Sequence, residues 1–110
     1  MLKISTNPTF ERTITARVPV DGGYREDSFK ATFKVLSTDE IAAFELGTED
    51  GTRKLLMAAI DSLDDIAGEN DKPLPYNDGL RDQVLGLPYL RTALVNEYFK
   101  SLAGVAEGNL

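Results

Sequence analysis

The chain has 110 residues, with 42% hydrophobic and 27% charged side chains, which suits one globular domain with a single modest core. It has no Cys, His or Trp, so thiolate and disulfide chemistry, a Cys/His zinc site and a Ser-His-Asp triad are all excluded. The net charge is −6 and the basic residues form no stripe, so no nucleic-acid partner is expected.

Residues 1–9 read as a loose lead-in with a turn signal at Asn7-Pro8. The opening MLKISTNPTF has no long apolar segment and does not resemble a signal peptide. No run approaches the length of a membrane span, so the expected setting is the cytoplasm, with no membrane partner. From Phe10 the pattern alternates: Ile14, Ala16, Val18 and Val20 fall on one side and Thr13, Thr15 and Arg17 on the other. That is the period of a half-buried strand, and Pro19 suits an edge position or a strand end. DGGYRED, at 21–27, reads as a Gly-rich turn, after which Phe29, Ala31, Phe33 and Val35 alternate with polar residues. Two such runs predict an antiparallel hairpin over 10–36, whose apolar face needs cover.

The cover is expected from helices over 37–104. STDE, at 37–40, is a capping box, with Ser37 and Glu40 bonding each other's amides. The short helix that follows is expected through Ile41, Phe44 and Glu45, stopping at Gly47. Leu55, Leu56, Ala59, Ile60, Leu63 and Ile66 then fall at helical spacing, which predicts one long helix over 48–68 ending at Gly68. Asn77 caps a third helix through Leu80, Val84 and Leu85. Gly86 and Pro88 break it, and Pro88 suits the first turn of a fourth helix carrying Leu90, Leu94, Tyr98 and Leu102. Residues 105–110 read as a frayed tail. The predicted class is α+β: one domain, an N-terminal antiparallel β-hairpin packed against a bundle of about four α-helices.

Little in the chain suggests chemistry. DGGY lacks the spacing of a phosphate loop, so no nucleotide or other cofactor is expected. DSLDDIAGENDK lacks the alternating oxygen ligands of a calcium loop, so no metal is expected. No catalytic residue set stands out, and an enzyme is not expected. Asp61, Asp64 and Asp65 remain irregular, because on the last turns of a helix they oppose the macrodipole. Either Lys54, Lys72 or Arg81 compensates them, or they meet a basic partner surface. Tyr76, Tyr89 and Tyr98 carry the apolar body and polar tip that suit a partner surface, although at least two of the three are expected to be structural. Candidate partner-binding residues are therefore Asp61, Asp64, Asp65, Tyr76 and Tyr89. The connector DKPLPYNDGL, at 71–80, leaves its helix stiffly through Pro73 and Pro75 and is expected to staple Leu74 and Tyr76 onto the core.

Charge is uneven along the chain. Residues 1–36 hold six basic and four acidic side chains, a net of +2, and the remainder holds six and fourteen, a net of −8. Ordinary solubility explains this, or the two parts attract each other within or between copies. An edge strand also offers unpaired main-chain groups, so self-association is expected.

The order of these pieces resembles the small tail assembly chaperones of long-tailed bacteriophages and prophages. The residues that carry the resemblance begin with Phe29, Ala31, Phe33 and Lys34, then Leu36, Ser37 and Glu40. Pro73, Leu74, Pro75, Tyr76 and Asn77 follow, then Leu87, Pro88, Leu90, Ala93 and Leu94, with Asn109 near the end. One departure is Leu63, where many members carry Trp. The resemblance implies a non-enzymatic protein of the host cytoplasm, absent from the finished virion. Its implied partners are the tape measure protein, which it keeps soluble, and the tail tube protein, which it recruits. The competing classes are a structural virion component, such as a tail-completion or head–tail joining protein, and a small hydrolase using its carboxylates.

Overall fold

A computed structural model of the chain describes residues 1–104. The tail at 105–110, including Asn109, lies outside the described residues. Among the described residues the architecture is α+β: a three-stranded antiparallel sheet and four helices.

Strands β1 (Thr9–Val20) and β2 (Gly23–Lys34) pair along their whole length, from Thr9 opposite Lys34 to Val20 opposite Gly23. The turn between them is only Asp21 and Gly22, with Gly22 at φ +82°, where glycine avoids the Cβ penalty. The expected seven-residue turn is therefore mostly strand, because the alternation continues through Arg25, Asp27 and Phe29. Phe10, Ile14 and Ala16 of β1 share one face with Phe29, Ala31 and Phe33 of β2. Val35 was expected to continue that face. Instead β2 ends at Lys34, Val35 is exposed, and Leu36 is buried in its place.

The largest correction concerns the helix expected over 48–68. Helix α2 (Glu49–Ala59) stops at Ala59, and Ile60–Asp64 is a third strand, β3, antiparallel to β2. Thr32 faces Ser62 and Phe33 faces Ile60, so two residues of β2 span three of β3. The extra residue is a bulge. It lets Ile60 and Leu63, three apart in sequence, both turn into the core, with Ile60 at 3% and Leu63 at 1% exposure. Asp61, Ser62 and Asp64 are weak helix formers, and the free edge of β2 offers their backbone a ladder. The misplaced helix-end charges are thus explained: these aspartates end no helix. Gly68 likewise terminates no helix.

The caps follow the sequence closely. Ser37 accepts from the Glu40 amide at 3.1 Å and Glu40 accepts from the Ser37 amide at 2.9 Å, opening α1 (Thr38–Ala42). Helix α1 ends before Phe44, earlier than the expected stop at Gly47. Thr48 caps α2 by accepting from Gly51 N at 3.0 Å. Gly51 itself is buried where a Cβ would collide with the Glu45 carbonyl, so the approach of that loop requires glycine. Asn77 caps α3 (Asp78–Leu85) by accepting from Leu80 N at 2.8 Å. Pro88 opens α4 (Pro88–Leu102).

The helices cover the apolar face of the sheet. Leu55 and Leu56 of α2, Leu85 of α3 and Leu94 of α4 are buried in one cluster with Ile14, Phe33 and Leu63 of the sheet. Each such leucine contributes about 1.5–3 kcal/mol relative to exposure. Tyr98 closes the core at the far end of the hairpin. Its ring centroid lies 5.1 Å from Phe33 and 5.6 Å from Phe99. Its hydroxyl accepts from Leu36 N at 3.0 Å and donates to Lys34 O at 2.9 Å, pinning the chain where it leaves β2. Among the described residues no helix is long and apolar enough to cross a membrane.

Candidate functional site

Beyond the helices the β1–β2 ribbon continues over an open cleft of about 460 Å³. Ala16, Val18, Arg25, Asp27 and Phe29 form its roof. Its floor comes from the loop after β3 and from the α3–α4 junction, through Ile66, Val84, Tyr89 and Leu90.

Period-2 alternation puts Arg25 and Asp27 on the same face of β2 as Phe29. They form a fork-to-carboxylate pair, with Arg25 Nε 3.1 Å from Asp27 Oδ1 and Nη2 2.9 Å from Oδ2. Hydrogen bonding to Asp27, then its charge, holds the Arg25 guanidinium protonated, with a smaller contribution from the facing Tyr89. The pair largely cancels its own charge. Sequence reasoning missed it because both residues lie in the segment expected to be a turn.

The loop that forms the other wall is a tight reversal. Asp65 and Asp71 both adopt the left-handed region, at φ +60° and +59°. Asp tolerates that region better than most residues. The reversal closes through Leu74 N to Ile66 O at 2.8 Å and Gly68 N to Lys72 O at 3.1 Å. Both carboxylates sit at the cleft, with the Lys30 ammonium 4.0 Å from Asp65. At that distance and exposure the ion pair is worth little. The cleft therefore presents an apolar floor under an acidic rim, with a tyrosine half-buried between them.

The chain matches no protein-family model, no curated protein and no solved structure.

The five candidate residues do not converge. Asp65 and Tyr89 meet at the cleft. Asp64 sits opposite Lys30 on the outer, solvent face of the sheet. Asp61 is the extra residue of the β3 bulge and lines a separate hollow with Asn7, Lys34 and Glu40. Tyr76 is half-buried against the core, and burial pushes its phenol pKa up. Leu74 packs beside Gly68 yet stays 37% exposed, so the connector staples through Tyr76 more than through Leu74. With Tyr98 buried as well, two of the three undecided tyrosines are structural and Tyr89 alone faces the cleft.

None of the cations expected to compensate the aspartates does so. Lys54 pairs with Asp50 at 3.0 Å, and Arg81 pairs with Asp78 and Asp82 within α3. Lys30, on β2, is the cation beside Asp65. Of the ion pairs among the described residues, Lys30–Asp65 alone joins residues 1–36 to the rest. The charge asymmetry is thus hardly used within one copy.

Proposed function

We propose that the chain is a tail assembly chaperone of a long-tailed bacteriophage or prophage, a non-enzymatic protein of the bacterial host cytoplasm. It binds the tape measure protein, keeps it soluble and recruits tail tube subunits around it, and it leaves before the virion is finished. The observation that carries this reading is the order of the sequence signals, from Phe29-x-Ala31-x-Phe33-Lys34 through Leu36-Ser37-x-x-Glu40 and Pro73-Leu74-Pro75-Tyr76-Asn77 to Pro88-x-Leu90. Each of these is a joint of the fold: the core face of β2, the α1 capping box, the reversal before α3 and the first turn of α4.

The cleft supports the reading by its chemistry. An apolar floor can take side chains from the exposed stripe of a partner helix, and the acidic rim favours flanking Lys or Arg. Tyr89 is the residue best placed to anchor such a contact, as half-exposed aromatics often are. Tyr89→Ala should weaken binding of a purified tape measure segment by roughly tenfold or more, with thermal stability nearly unchanged. Calorimetric titration of both proteins checks this. Equal affinities for the two would remove the cleft from the interface.

A further inference from the structure

The two edges of the sheet differ. The β3 edge is five residues long and carries a bulge, both devices that discourage pairing with another chain. The β1 edge is twelve residues long, unbroken, and paired on one side only. Four observations fix which of its main-chain groups face outward. Val20 and Gly23 flank the two-residue turn and so bond each other. Pro8 O takes Val35 N at 3.0 Å, inward. Pro19 has no N–H to give β2. Glu11 O accepts instead from the Arg12 guanidinium at 2.9 Å, outward. Alternation then turns Thr9, Glu11, Thr13, Thr15, Arg17 and Pro19 outward. Among the described residues no main-chain group from elsewhere bonds to that edge.

From this geometry we infer that two copies pair antiparallel through their β1 edges, about a two-fold axis at Ile14. That register sets outward residue against outward residue, as an antiparallel ladder requires. Glu11 then faces the second copy's Arg17, and Arg17 its Glu11, giving two opposite-charge pairs on the solvent face. Thr13 faces Thr15 twice. Phe10 faces Val18, and both are only partly covered within one copy. Pro19 meets Thr9 at the end of the ladder, where its carbonyl can still accept. The result is a continuous sheet of six strands with the helices of both copies on one side. The inference does not depend on the phage partner proposed above.

Sedimentation equilibrium over a wide concentration range tests it on the intact chain. The wild type should form dimers and no larger species. Glu11→Arg and Arg17→Glu should each weaken the dimer at least about tenfold, because each sets like charges opposite twice. The double variant E11R/R17E should restore it. Thr13→Pro should abolish it, since it removes an outward N–H and leaves the β1–β2 ladder intact. Circular dichroism of the two surface-charge variants, which alter no core residue, keeps the test independent of folding. A wild-type monomer at the highest concentration overturns the inference, and so does a dimer that E11R leaves unchanged or the charge swap fails to restore.

Discussion

Tyr98→Ala is expected to lower the free energy of unfolding by about 3–5 kcal/mol, a large part of the 5–15 kcal/mol typical of a domain this size. Tyr98 is fully buried, touches Phe10, Phe33 and Phe99 through its ring, and holds Leu36 N and Lys34 O through its hydroxyl. Tyr98→Phe isolates the second contribution. It keeps the ring and leaves a buried amide without its acceptor, for a cost of about 1–3 kcal/mol. Urea unfolding should show both as shifts in midpoint with little change in slope. The hydroxyl also leaves a signature in alkali. Burial, the largest cause, raises the Tyr98 phenol above its ordinary value of 10.0. The folded state therefore prefers the protonated phenol. Its stabilising effect is fully present below the ordinary value and is lost as pH rises through the raised one. The wild type should lose stability in that window faster than Tyr98→Phe.

The second large effect is at Leu63, which is 1% exposed opposite Ala31. Leu63→Asp places a carboxylate there with no cation and should cost several kcal/mol, enough to unfold most of the population. Asp64→Ala, one residue on and facing solvent, should change stability by no more than about 0.5 kcal/mol. Thermal melts followed by circular dichroism separate the two. A Leu63→Asp protein that melts like the wild type would contradict the burial of Leu63 beneath the helices.

That strand also shows where the sequence is legible and where it is not. Local signals survive folding intact: the Ser37–Glu40 box, the Asn77 cap and Pro88 at the start of α4 each depend on a few neighbouring residues. The alternation of β1 and β2 is legible because every second residue meets the core. β3 is hidden because its bulge adds one residue between Ile60 and Leu63, so a strand imitates the three-residue spacing of a helix. The contrary signal was present in Asp61, Asp64 and Asp65, which fit a helix end badly and a strand edge and its exit turn well. The cleft was half legible. Asp65 and Tyr89 were found through charge and residue type. Arg25 and Asp27 were lost because glycines at 22 and 23 suggested a longer turn than the two residues the ribbon uses. The resemblance to tail assembly chaperones rests on residues that shape the fold, so it leaves the partner contacts to be found from the surface itself.

Co-expression with a tape measure protein encoded beside this chain tests the proposed function most directly. The quantity to measure is the fraction of tape measure protein that stays in the soluble lysate and co-purifies with this chain. The chaperone reading predicts that most of it becomes soluble and elutes in a complex, whereas without the chain it sediments. Tape measure protein that sediments equally with and without the chain, and never co-purifies, would contradict it.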